Sequence, residues 1–498
     1  MLLRFTWKKL FIILCTFFVI FQFSGNFEPL YREYLIKREV RDFKAFITSS
    51  YYYPKSQSLG DNALALVMNL NDKRQYWFGE KWYELEKKPW ITIRSRNLTT
   101  SKIISTPYER VTSDGDACLL PTVFLTTQLL PNTISIELLS DDHQNGVSIP
   151  FSTPQSTNQY DCVVCITPIF VAENWQTFLF AMHIYKKFGA FVNLYYISSI
   201  DSYFDLIRIY EESGYLTLQP WIPIKLIGVE KNELDAYEQV EWRNQVASMT
   251  DCILKYKETA KYVALLDIDD VLIPKLAPTY LEEFQILYNN LKDKNSYLNY
   301  EKQNFIGATV NNFDNFSFSK MLGSLERQNS SETGKIVTDP RLMNYTWIHW
   351  TYQNLRKVEV KENQITHVKR LKWLDNFPSQ SNRSLKFPII ERSVEKEIEK
   401  DWKMMREKIP SGVQKNLPAE EFYAKVIGAC YQEKFYSHFY IGAPSVGCVG
   451  PHFCEYPQRE DLKCVHVDAS YVEVPKMEPI SYYFAVQARM NMTWGCYP

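Results

Sequence analysis

The chain has 498 residues, 46% hydrophobic and 23% charged, an ordinary globular balance with room for about three domains at ~150 residues each. Its 56 basic residues stand against 57 acidic ones, a net charge of -1 that excludes the basic excess needed to bind along nucleic acid. Gly and Pro are few, 17 and 24, and nothing recurs at the ~20 to 50 residue period of solenoids, so collagen-like and repeat architectures are excluded too. Aromatic residues reach 15%, which fills a core first and offers sugar-stacking faces second.

Leu10 to Phe23 (LFIILCTFFVIFQF) is interrupted only by Thr16 and Gln22, and Arg4, Lys8 and Lys9 precede it. At 1.5 Å per residue such a helix spans ~21 Å, short of a ~30 Å hydrocarbon core, with Phe5, Trp7 and snorkelling lysines extending its reach. A cleaved signal peptide is the competing reading, but Phe23 would occupy the -3 position of a Ser24-Gly25-Asn26 cleavage site. The expectation is a cytosolic stub over 1–9, a transmembrane signal anchor over 10–25 and a partly helical stem over 26–50, with the remainder lumenal because the basic flank precedes the span. Sequons at Asn97, Asn315, Asn329, Asn344, Asn382 and Asn491 fit a lumenal chain.

Cys15 lies in the anchor, which leaves an odd set of lumenal cysteines: Cys118, Cys162, Cys165, Cys252, Cys430, Cys448, Cys454, Cys464 and Cys496. An oxidising lumen pairs most of them and leaves at least one thiol over. Cys448, Cys454, Cys464 and Cys496 read as a stapled C-terminal segment. Cys162-x-x-Cys165 lacks a second pair at zinc spacing and sits in an apolar run, so it reads as buried or disulfide-bonded cysteine.

Short apolar runs between Pro, Gly and Asn over 51–157 predict a small β-rich module, closed by the polar linker Ser152 to Gln159. Beyond it strands and helices alternate, which predicts an α/β domain over 158–430 with a largely parallel sheet, followed by a cysteine-rich segment over 431–498. Strands are predicted at Cys162 to Ile166, Phe191 to Ile197, Leu216 to Trp221 and Tyr262 to Leu266. Helices are predicted at Trp175 to Phe188, Ser202 to Ser213 with Gly214 as the stop, and Glu241 to Tyr256.

The strand Tyr262 to Leu266 runs into Asp267-Ile268-Asp269-Asp270, three carboxylates at the strand edge where open α/β sheets bind ligands. Asp267 and Asp269, at i and i+2, face one ion together if the backbone stays extended. Hard oxygen ligands select Mg²⁺ or Mn²⁺, either of which also holds a diphosphate. Asp caps of a strand-end turn are the bland alternative. Two chemistries use this text: nucleotide-sugar glycosyl transfer, and the haloacid-dehalogenase type of phosphatase, where Asp267 would be nucleophile and Asp269 general acid. The second is misplaced, since that motif belongs on the first strand of its domain.

Cys165-Ile166-Thr167-Pro168-Ile169-Phe170, Glu173-Asn174-Trp175, Tyr210-Glu211 with Gly214, Gln219-Pro220-Trp221, Gln245 with Asp251-Cys252, and the Leu266 to Asp270 stretch together resemble glycosyltransferase family 92, the former domain of unknown function 23 of nematodes. The resemblance runs from about Asp161 to Leu371. It implies a GT-A type fold, Mn²⁺ and a UDP-sugar donor, with UDP-galactose the family's attested choice. It also implies a Golgi type II membrane protein that moves a hexose to a glycoprotein glycan with inversion. Asp267 and Asp269 then hold metal and diphosphate, while Asp270 stands where the family commonly has Glu. His367 in Ile365-Thr366-His367-Val368 matches the family's late histidine and completes the metal set, with His349 and His438 as fallbacks. Arg243 and Gln245 are candidates for donor contact, against the alternative of a solvated helix face. Inversion needs a general base, for which Asp314, Asp339 and Asp375 are the candidates by position. Acceptor-selecting loops are expected between Asn311 and Trp350. A lumenal glycan-binding protein that keeps the fold without catalysis is the other-class reading.

Overall fold

The computed structural model describes residues 43–72, 75–78, 81–84, 90–111, 118–154, 159–377, 389–437, 447–457 and 459–497. The stub, the anchor, most of the stem, Cys15, Asn382 and His438 lie outside the described residues. Among the described residues no helix is long and apolar enough to cross a membrane.

The central domain is built on an eight-stranded sheet. In chain order its strands are β1 (Tyr160–Ile169), β2 (Phe191–Tyr196), β3 (Leu216–Pro220), β4 (Ala260–Leu266), β5 (Asp270–Val271), β6 (Ser296–Val310), β7 (Glu326–Thr338) and β8 (Arg356–Leu374). The spatial order is β3-β2-β1-β4-β7-β6-β8-β5. The first four run parallel, as their near-continuous apolar text demands, because helices cover them. Those helices are α1 (Trp175–Lys187), α2 (Asp201–Glu212), α3 (Gln245–Lys255) and α4 (Tyr280–Asn289). Beyond β4 the sheet turns antiparallel at β7, and β6 pairs parallel with β8.

The predicted strands and helices of this half are present with ends within three residues, one helix excepted, and Gly214 takes the left-handed φ of +76° that lets α2 stop. One helix differs. Glu241 to Asn244 is a distorted turn in which Trp242, Arg243 and Asn244 all have positive φ, and α3 starts only at Gln245. Three successive left-handed residues persist only where the surroundings over-determine them. Here Asn244 exchanges side-chain amide hydrogen bonds with Asn69 at 2.8 and 2.9 Å, and the Trp242 N–H donates to the Val449 carbonyl at 2.9 Å.

The β-rich module starts earlier than its sequence suggested, because Phe43–Tyr53 is a strand and not stem. Phe43, Ala45 and Ile47 alternate into the module's core, a period of two that helical spacing cannot supply. Its two sheets share that core, and Ile480–Tyr483 from the far end of the chain adds a strand beside Phe43–Tyr53. Ala63–Leu70 is buried on both faces: Leu64, Leu66 and Met68 enter the module's core, while Ala63, Ala65 and Val67 pack with Val246, Met249 and Ile253 of α3.

The C-terminal segment is stapled as expected only in part. Cys464 pairs with Cys496 and Cys430 with Cys454, but Cys448 reaches back to Cys118 in the N-terminal module. Cys165 of β1 pairs with Cys252 of α3, and buried Cys162 is the free thiol among the described residues. Asn311 to Trp350 is not mainly loop either: it contains a helix, α5 (Phe318–Ser324), and the inner strand β7. The Cys165–Cys252 link closes 87 residues, so Cys165→Ser with Cys252→Ser should cost ~3 to 5 kcal/mol by loop entropy, read as a lower urea midpoint.

Candidate active site

Strand β4 ends at Leu266, and the backbone does not stay extended through the acids. The Asp270 N–H donates to the Asp267 carbonyl at 3.0 Å, closing a turn, and β5 then pairs antiparallel with β8 in the register that sets Asp270 opposite His367. The expected shared face of Asp267 and Asp269 is therefore replaced by a division of roles. Asp269, Asp270 and His367 bring one ligand atom each within 4.8 Å of one another. Asp267 has partners of its own: its Oδ1 accepts from Thr167 Oγ1 at 2.7 Å and Gln245 Nε2 at 2.8 Å, and its Oδ2 lies 2.8 Å from Lys335 Nζ.

Asp270 is fully buried and uses both oxygens. His367 Nδ1 is 2.8 Å from Oδ1 and Lys302 Nζ 3.3 Å from Oδ2, while Tyr185 of α1 donates to the Asp270 carbonyl at 2.8 Å. Glu332 stands over this group, 3.7 Å from His367 Nε2 and 2.7 Å from Lys369 Nζ. Burial alone would raise the Asp270 carboxyl, but the Lys302 ammonium and His367 hold it below the ordinary carboxylate range. Asp269 moves the other way, because burial and the neighbouring Asp270 and Asp267 outweigh His367. Burial lowers His367, yet Asp269 and Asp270 together raise it above its ordinary value.

Lys302 and Lys335 come from adjacent strands β6 and β7, where the register slips between Tyr300 and Lys302. Gly334 permits the approach, since a Cβ there would meet the Tyr300 carbonyl oxygen at 2.4 Å. Beyond Lys335 lies His349, whose Nδ1 is 2.9 Å from the Gly334 carbonyl, and then Trp347 and Trp350, half-buried rings 4.4 Å apart. Trp347 Nε1 donates to Glu241 at 3.1 Å.

Gln245 thus reaches the acids and Arg243 does not. Arg243 is only 4% exposed, so it lies on no solvated face, and its guanidinium sits 3.5 Å over the Tyr237 ring. The three base candidates are elsewhere. Asp339 follows β7 at the edge opposite the acid turn and pairs with Arg341. Asp375 lies eight residues past His367 along β8, ~26 Å in an extended strand, and bonds Asn311. Asp314 pairs with Arg406, beside an Asn315 that bonds Asp375. Of the sequons, Asn315, Asn329 and Asn491 are exposed, Asn97 and Asn344 half-buried.

Thr167, Lys302, Lys335 and Glu332 were missed from sequence. Thr167 lay inside a quoted motif without a role. A lysine in a strand reads as edge protection, and only the pairing of β6 with β7 turns these two toward the acids.

Burial, with Lys335 nearby, pushes His349 down to about 4, so it is neutral when folded and free to protonate when unfolded. The unfolded chain then binds more protons between pH 6.5 and 4, and stability falls as pH drops through that window. His349→Gln should flatten that fall, measured as the urea midpoint at pH 7 against pH 5.

A model of glycosyltransferase family 92 matches residues 160–406. A Caenorhabditis elegans protein described as a family 92 glycosyltransferase is 41% identical over 95% of this chain and 94% of its own length. A second from the same organism is 34% identical over 91% of this chain and 90% of its own. Among solved structures, S. aureus TarS 1-349 aligns over 42% of this chain and 60% of its own at 10% identity, with a TM-score of 0.25.

Proposed function

Since the chain belongs to glycosyltransferase family 92, we propose that it moves a hexose, galactose from UDP-galactose, onto a glycoprotein glycan with inversion, as a Golgi type II membrane protein. The observation that carries this reading is the Asp269, Asp270 and His367 group at the end of β4, inside the stretch that the family model matches. Four parallel strands ending at that edge, then an antiparallel β7, support a GT-A type domain. Four disulfides support an oxidising, secretory compartment.

Two carboxylates and an imidazole suit Mn²⁺, and the side chains that would hold it are Asp269, Asp270 and His367. A divalent ion there supplies positive charge against the departing diphosphate. The chain's own residues do the positioning. Thr167 and Gln245 fix the Asp267 carboxylate, and Lys335 and Lys302 add positive charge beside it. Trp347 and Trp350 offer half-exposed faces on which a sugar ring stacks. The phosphatase alternative loses its footing, because its nucleophile Asp267 is held by three partners and comes off the fourth strand of its sheet.

Calorimetric titration of UDP into the full chain should show binding with Mn²⁺ that chelator abolishes. Asp269→Asn should weaken Mn²⁺ binding at least ~10-fold, the low end of what loss of even an outer-sphere partner costs. Equal UDP affinity with metal and with chelator would overturn the metal assignment. Metal-dependent UDP binding without transfer to any acceptor would favour the non-catalytic glycan-binding reading, which the remoteness of Asp314, Asp339 and Asp375 keeps in view.

A further inference from the structure

Lys335 is 1% exposed and Lys302 6%, and both ammonium groups end in the acid cluster. Lys335 Nζ lies 2.8 Å from Asp267 Oδ2 and 4.0 Å from Asp270 Oδ2; Lys302 Nζ lies 3.3 Å from Asp270 Oδ2 and 3.9 Å from Glu332. A buried ammonium must be balanced by charge and by hydrogen bonds. Lys335 meets the second requirement only in part, since its ammonium has three donors and Asp267 Oδ2, at 2.8 Å, takes one of them. Those unused donors belong to a group that stands among the residues proposed to hold metal and diphosphate.

The lysine contacts point the same way. Asp267, Asp270 and Glu332 already face Lys335, Lys302 and Lys369 in turn, so these carboxylates are compensated pair by pair as the site stands. A divalent ion entering alone would leave its charge beside two ammoniums in a low-dielectric setting. An ion that enters with the negative diphosphate of a nucleotide brings its own counter-charge, and the diphosphate oxygens supply further acceptors to Lys335.

We propose that Lys335 and Lys302 are built-in counter-ions of the acid cluster, which keep it closed to a divalent metal until a nucleotide diphosphate arrives, so that metal and donor bind as one cooperative unit. The proposal rests on the transfer reading above. Lys335 and Lys302 act here as positioning residues, exchanging Asp267 and Asp270 for diphosphate oxygens when the site fills.

The test is Mn²⁺ binding to the full chain, followed by calorimetry and by the electron-spin signal of free Mn²⁺, without UDP and with saturating UDP. In the wild type, UDP should tighten Mn²⁺ at least ~10-fold, within the ~5 to 150-fold range of ordinary site coupling, and Mn²⁺ should tighten UDP by the same factor. Lys335→Met and Lys302→Met should each bind Mn²⁺ alone more tightly than wild type and lose most of the gain from UDP, while Lys335→Arg keeps wild-type behaviour. A merely structural lysine predicts the opposite sign, because damage to the fold only weakens binding. Folded Lys→Met variants with unchanged or weaker Mn²⁺ binding, beside a wild type that keeps its coupling, overturn the proposal and leave the transfer reading intact, whereas Mn²⁺ affinity unchanged by UDP overturns the proposal together with the metal assignment. If neither Met variant folds, Lys335→Gln and Lys302→Gln, which keep a polar end without the charge, carry the same comparison. UDP that binds in no combination overturns the transfer reading, and the proposal with it.

Discussion

A carboxylate with no access to water governs the second half of the sheet. Asp270 is completely buried, and a buried charge survives only if partners meet every oxygen. The partners arrive from three elements: His367 on β8, Lys302 on β6 and, at the backbone carbonyl, Tyr185 on α1. Removing one member of such a set typically costs ~3 to 5 kcal/mol, because the rest are left buried and uncompensated. The two-residue strand β5, the long parallel pairing of β6 with β8 and the slip between β6 and β7 are all geometries that satisfy this one group.

The other half of the site hangs on α3. Its first residue, Gln245, holds Asp267, so anything that fixes the helix fixes the carboxylate. Asp251 of α3 accepts from Tyr51 of the N-terminal module and from Tyr195 of β2, and Tyr53 donates to the Leu254 carbonyl at 2.7 Å. The Cys165–Cys252 disulfide ties the same helix to β1. The strained turn before Gln245 is held by Asn69 from one side and by Val449 from the other. The N-terminal module and the C-terminal segment therefore share a structural task, which is to keep the start of α3 against the acid turn.

Asp270 has a short side chain, with one oxygen at 2.8 Å from His367 and the other at 3.3 Å from Lys302. The residue is thus both a member of the ligand group and the anchor of β5 on β8. The family model matches residues 160–406, yet the flanking segments hold α3 and carry six of the eight half-cystines of the four disulfides.

The sequence alone determined the parallel half of the fold and the location of the acids. Apolar runs of strand length, amphipathic helices between them and the stop at Gly214 are local signals, and they placed those elements within three residues except at the start of α3. The nine cysteines after Cys15 are an odd number, and among the described residues the free thiol is buried Cys162. Which acids work together was beyond the sequence's reach. The i, i+2 rule holds for an extended chain, and a turn closed by one backbone hydrogen bond separates Asp267 from Asp269. Asp270 meets His367 across 97 residues, and Lys302 and Lys335 meet the acids through a strand register that no local period encodes. Side-chain period tells which face of a strand is buried; only pairing between distant strands decides what that buried face touches.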